Sequence, residues 1–127
     1  MFDVHQVGEA TIIDVAEDLD MCTSSALEST INLAALDLSK RVIVSLEKCL
    51  YCDASGLNVL VKARKRLGSM LLVVVPRANR IRRIFHITGL EEILSLSASL
   101  HDAVMPTRLQ IAPHPNGVAS SAMAAAS

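Results

Sequence analysis

The stretch Asp53-Ala54-Ser55-Gly56-Leu57 concentrates the chemistry of this sequence. It follows an apolar, β-branched run and opens an apolar pattern of helical spacing, so Asp53 and Ser55 fall where a helix begins. Either side chain can accept hydrogen bonds from the unpaired amides of a first turn. Gly56 lacks a Cβ, which lets another backbone or a transferred phosphoryl group come close. A phosphate on Ser55 would lie at the positive end of the helix dipole and add about −1.5 to −2 charge to the surface without unfolding the domain. For a Ser-Gly pair taken alone, a plain helix cap is the simpler reading.

The other reactive residues carry less. Cys49-Leu-Tyr-Cys52 has CxxC spacing, but a redox pair needs its first thiol at a helix amino terminus. Cys49 instead reads as part of a strand, with Cys49 and Cys52 on opposite faces, so packing is the expected role and a thiol oxidoreductase is a remote alternative. Cys22, Cys49 and Cys52 with His5, His86, His101 and His114 form no metal-ligand spacing. His86 reads as a solvated residue in the last turn of a helix. No GxGxxG or GxxxxGK[ST] cradle occurs, and no histidine has a recognisable nucleophile and orienting carboxylate. Neither an enzyme activity nor a cofactor is expected.

Composition narrows the classes further. The 127 residues suit one domain, and 51% hydrophobic against 20% charged residues supply a buried core. Aromatics are 2%, which leaves almost nothing for stacking nucleic-acid bases. The strongest apolar run, Met70 to Val75, stops at Pro76, well short of a membrane span. The opening MFDVHQ lacks the basic start and apolar middle of a secretory signal. Three cysteines make no disulfide framework, so a reducing, cytoplasmic setting is expected. Charge is polarised. Residues 1–60 hold ten acids and three bases, a balance of −7, and residues 61–127 hold nine bases and three acids, a balance of +6. Eight bases and no acid lie between Lys62 and Arg83. They could recruit an anionic partner, although solvated outer faces of two helices explain them as well.

The positioning elements follow from periodicity. Phe2–Val7 and Ala10–Val15 read as a hairpin around Gly8 and Glu9. Ser25-Ala-Leu-Glu28 fits a capping box that starts a helix with Leu27, Ile31, Ala34 and Leu38 inward. Val42–Leu46 reads as a buried strand continuing toward Tyr51. A second helix follows, with Leu57, Leu60, Val61 and Leu67 inward and Asn58, Lys62, Lys65 and Arg66 outward, ending at Gly68. Met70–Val75 is an interior strand. Ile81, Ile84, Phe85 and Thr88 mark a third helix with Arg80, Arg82, Arg83 and His86 on its other side, closed at Gly89-Leu90. Ile93–Leu96 reads as a fifth strand, and Leu100–Val104 as a short final helix entered from Ser97 or Ser99. Residues 106–127, rich in Pro, Ala and Ser, are expected to form a mobile or weakly docked tail. Strands alternating with helices demand a largely parallel sheet with a hairpin at its start, an α/β sandwich of about five strands and four helices.

The run from Val42 to Leu67, followed by Met70 to Val104, resembles the STAS domain of bacterial anti-sigma factor antagonists over roughly residues 2–105. The strand, the Asp-Ser-Ser-Gly-Leu type of loop and the Thr-Gly-Leu turn of that family appear as Asp53-Ala54-Ser55-Gly56-Leu57 and Thr88-Gly89-Leu90. Ala54 stands where the family has its first Ser, and Glu17-Asp18 precede Leu19-Asp20 where a Gly is usual. The resemblance implies phosphorylation at Ser55 by an anti-sigma factor, a GHKL-type serine kinase, which the unphosphorylated form binds so that a sigma factor is freed. It implies a contact surface made of Asp20, Met21, Cys22, Thr23, Asp53, Ala54, Ser55, Gly56, Leu57 and Asn58. Direct nucleic-acid binding is not expected. The alternative is a STAS accessory subunit of a transporter or another signalling complex, without phosphorylation, using the basic face between Lys62 and Arg83.

Overall fold

The computed structural model describes residues 2–37 and 40–104. Its elements are β1 (Asp3–Val7), β2 (Ala10–Asp14), α1 (Met21–Ala34), β3 (Arg41–Ser45), α2 (Ala54–Leu67), a 3-10 turn (Gly68–Met70), β4 (Leu71–Val74), α3 (Arg82–Ile87), α4 (Leu90–Ile93) and α5 (Leu100–Val104). The strand order is β1-β2-β3-β4, with β1 antiparallel to β2 and the other pairs parallel. Alternation sorts the side chains. Ile13, Val44 and Val73 face a main core that also holds Leu27, Leu60 and Phe85 from α1, α2 and α3. Ile12, Ile43 and Val74 face the opposite side, where Ala103 of α5 packs. The expected α/β sandwich with a mostly parallel sheet is the observed architecture. None of the described helices is long and apolar enough to cross a membrane.

Several local expectations are corrected. Helix α1 begins four residues before the expected box, because Asp20 accepts from the amides of Cys22 and Thr23 while Thr23 reciprocates to the Asp20 amide. Strand β3 stops at Ser45, where a turn closes with the Cys49 amide donating to the Leu46 carbonyl at 3.1 Å. Cys49 is therefore outside the strand, and Cys49 and Cys52 share the main core instead of pointing to opposite faces. The expected strand Ile93–Leu96 is replaced by the end of α4 and Ser95 at φ +50, with a single bridge from Ser97 to Val74. The inward stripe of α2 is Gly56, Val59, Leu60 and Ala63, with Leu57, Val61 and Leu67 only half-buried. Leu38 and the tail 106–127 lie outside the described residues. Gly89 does adopt the left-handed conformation, φ +77, and Gly68 caps α2 at φ +58.

The parallel polarity of β2, β3 and β4 puts their carboxyl-end loops, 15–20, 46–53 and 75–81, on one edge of the sheet. The Gly8–Glu9 turn, the segment entering β3 and the 3-10 turn lie at the other edge. Asn79 stitches the first edge together: its Nδ2 donates to the carbonyls of Leu46 at 3.0 Å, Glu47 at 3.3 Å and Cys49 at 3.0 Å, and its Oδ1 accepts from the Ile81 amide at 3.0 Å. Replacing it strands the Glu47 and Cys49 carbonyls and the Ile81 amide together, while the Leu46 carbonyl keeps the Cys49 amide. Asn79→Ala is expected to destabilise the fold by about 1–3 kcal/mol in urea unfolding, the cost of leaving part-buried polar groups unpaired.

Candidate functional site

Two helices start side by side at this edge. The Leu19 amide donates to the Tyr51 carbonyl at 2.9 Å, and the Asp53 amide donates to the Leu19 carbonyl at 3.0 Å, a parallel rung between the two loops. Asp20 and Asp53 each follow this rung and cap the adjoining helix. Asp53 Oδ1 accepts from the amides of Ser55 at 2.9 Å and Gly56 at 3.3 Å. Asp20 Oδ1 accepts from those of Cys22 at 3.0 Å and Thr23 at 3.1 Å. The Thr23 amide is the main cause that holds the Asp20 carboxyl below its usual range.

Gly56 is the hinge pin of this seam. A Cβ built there would lie 2.8 Å from Cys52 Sγ and 2.9 Å from Leu19 Cβ, so the close approach of α2 to the preceding loops requires its absence. The structure thus gathers Asp20, Met21, Cys22 and Thr23 with Asp53, Ala54, Ser55, Gly56, Leu57 and Asn58 on one edge of the molecule. Asp20, Met21, Cys22, Ala54 and Asn58 are exposed, Thr23, Asp53, Ser55 and Leu57 are half-buried, and Gly56 is buried.

The hydroxyls differ in availability. Thr23 Oγ1 donates to the Asp18 carbonyl at 2.6 Å and accepts from the Asp20 amide at 2.9 Å, so it is used up locally. Ser55 is not the cap of α2, because Asp53 is; only the Ser55 amide is engaged. Its hydroxyl sits in the first turn, partly open to solvent and not needed for the helix start. The thiols beneath it are suppressed as nucleophiles. Burial raises the Cys49 thiol and pushes that of Cys52 up to about 12.

Three large apolar side chains rim the site. Met21 is 76% exposed, Leu50 58% and Tyr51 51%. The sequence reading passed over Leu50 and Tyr51, although two bulky apolar residues in a loop just before Asp53 were a legible signal. Among the described residues no group of three His, Cys, Asp or Glu side chains could hold a metal ion. The arrangement can present a hydroxyl to another protein's active site inside a partly apolar docking surface.

Comparison with known proteins identifies the family. Residues 1–103 match the family model for the STAS domain. The chain is similar to the anti-sigma-F factor antagonist RsfB of Mycobacterium tuberculosis, 28% identical over 98 residues that span 76% of this chain and 80% of the relative. It is also similar to the anti-sigma-B factor antagonist of Staphylococcus aureus, 30% identical over 87 residues covering 67% and 81%. The crystal structure of an anti-sigma factor antagonist from Mycobacterium paratuberculosis superposes with a TM-score of 0.74 at 26% identity, covering 87% of this chain and 93% of that one.

Gly56→Ala sets a gain in helix propensity of about 1 kcal/mol against steric overlap in a packed seam, which costs about 1–3 kcal/mol. Since Leu19 is fixed by two backbone bonds and cannot yield, net destabilisation in urea unfolding is the expected result. Acid titration tests the Asp20 cap. The folded carboxyl is depressed, so its contribution is present above the unfolded value of about 3.9 and is lost as pH falls through the lower folded value. The melting-temperature gap between wild type and Asp20→Ala, clear at neutral pH, is expected to shrink below about pH 4.

Proposed function

The chain belongs to the STAS domain family, and we propose that it works as an anti-sigma factor antagonist, switched by phosphorylation of Ser55. In the unphosphorylated form it binds an anti-sigma factor of the GHKL serine-kinase type in the cytoplasm, and sigma factor is released. It acts by docking, and chemical turnover belongs to the kinase. The names of its relatives support the role. The availability of the Ser55 hydroxyl beside an already satisfied cap carries the switch.

In that step the Ser55 oxygen attacks the γ-phosphorus of ATP held by the kinase. The bond to ADP breaks, and the hydroxyl proton passes to a base on the kinase. The helix amides and dipole tolerate the new anion, so the fold survives. Docking does not. The added charge of about −1.5 to −2 sits among exposed apolar side chains that binding must dehydrate, near Asp20 and Asp53, and burying an unpaired anion is costly.

The test uses the purified antagonist and candidate GHKL-type anti-sigma kinases. With the cognate kinase and ATP, wild type is expected to gain one phosphate and Ser55→Ala none, while Ser55→Ala keeps its affinity. Ser55→Asp is expected to bind at least about tenfold more weakly, about 1.4 kcal/mol, with an unchanged circular dichroism spectrum. Wild-type affinity in Ser55→Asp would place the switch elsewhere.

A further inference from the structure

We propose that Arg77, Arg80 and Arg83 form a second, basic half of the docking surface and receive an acidic segment of the protein partner; this rests on the antagonist reading above. The eight bases counted in the sequence do not form one face. Lys62 pairs with Glu28 at 3.5 Å, Arg66 donates to Asn32 on α1, and Arg64 donates to the Leu71 carbonyl at 2.8 Å. Arg82, expected on the solvated face of α3, is folded inward instead. Its side chain is 12% exposed, with Nε 2.8 Å from Glu91 Oε2 and a second nitrogen on the Val75 carbonyl. His86 Nδ1 turns to the same carboxylate at 3.1 Å.

Glu91 is thereby spent on Arg82 and His86. Arg77, Arg80 and Arg83, spaced by three, remain exposed around one open depression whose wall also holds Asn79, Arg82, His86 and the already paired Glu91, and no described carboxylate pairs with the three arginines. Three unneutralised guanidinium groups in one depression repel each other, and an incoming anion relieves that repulsion. Their planar forks match carboxylates in pairs.

Position decides the class of anion. Arg77 and Arg80 flank Asn79, whose side chain is bonded to the Leu46, Glu47 and Cys49 carbonyls, the start of the loop that carries Leu50, Tyr51 and Ser55. The arginine turn is thus fastened to the proposed interface. The depression has no Phe, Tyr or Trp in its lining to stack bases. The docking face then has two poles, acidic around Asp18, Asp20 and Asp53 and basic at the arginines. A partner with an acidic segment is steered onto it in one orientation. A phosphate on Ser55 enlarges the acidic pole and leaves the basic one intact, so encounter persists while tight docking is lost.

Two arms test this, using wild type and the triple variant Arg77→Glu/Arg80→Glu/Arg83→Glu, with Arg→Gln at the same sites as a milder second variant and thermal melting as the check on folding. In the first arm, fluorescent hexaglutamate at low ionic strength is expected to bind wild type and to lose at least about tenfold in affinity for the triple variant, with the difference vanishing at high salt. No binding to wild type, equal binding to the variant, or binding only to duplex DNA or phosphatidylglycerol vesicles overturns the proposal. In the second arm, association of the triple variant with the cognate kinase is expected to slow by about tenfold with little change in dissociation; an unchanged association rate overturns it. Should wild type bind no such kinase while hexaglutamate behaves as stated, the Ser55 reading falls and the acidic-ligand site stands.

Discussion

Leu19 is the residue on which the functional edge depends. Its amide and carbonyl bridge to Tyr51 and Asp53, and its side chain is fully buried against the glycine of the neighbouring helix. The two hydrogen bonds contribute about 0.5–1.5 kcal/mol each, while burying a leucine side chain contributes about 1.5–3 kcal/mol. The apolar anchor therefore matters at least as much as the rung it supports. Because Asp20 and Asp53 each lie one position beyond that rung, the two helix starts are level and face the same solvent. A slip of one residue would turn Leu19 outward and Asp20 into the core.

The two starts look alike and behave differently. Each has an aspartate cap whose Oδ1 serves two amides, and each has a hydroxyl within the next three residues. At α1 that hydroxyl is the third residue, within reach of the cap backbone, and it closes a reciprocal box. At α2 it is the second residue, the third is glycine, and no box can form. The same local chemistry thus yields one sealed terminus and one with a hydroxyl to spare. Gly56 achieves both ends: it removes the residue that would seal the helix and lets α2 settle against Leu19.

Much of this was legible in the chain itself. The β-branched runs of β2, β3 and β4, the start of α2 at Asp53 and the break at Gly68 follow from periodicity and backbone freedom. The start of α1 is hidden in the sequence because Asp20-Met-Cys-Thr23 closes its box with a Thr hydroxyl, whereas Ser25-Ala-Leu-Glu28 carries the usual Ser and Glu. Only the tertiary rung at Leu19 selects between them. The apolar run Ile93–Leu96 was open to either helix or strand, as short apolar runs are, and tertiary context bent it at Ser95. A continuous strand would send Cys49 and Cys52 to opposite faces, but the turn after Ser45 interrupts it and both thiols enter the main core. That Arg82 folds inward could not be read at all, since its partner Glu91 comes from beyond a left-handed glycine. Asn79 was equally silent, because its carbonyl partners lie some thirty residues away.

The polarity of the sheet also divides the molecule by purpose. Every group implicated in recognition comes from the loops that follow β2, β3 and β4 or from the first turns of the helices they lead into. The hairpin at Gly8 and the turn at Gly68 lie at the far edge, and both glycines have open space where a side chain would begin. That far edge is the natural place for a surface-immobilisation handle. A chain attached there leaves the recognition edge pointing away from its support, so changes in linkage and changes in partner choice can be made independently.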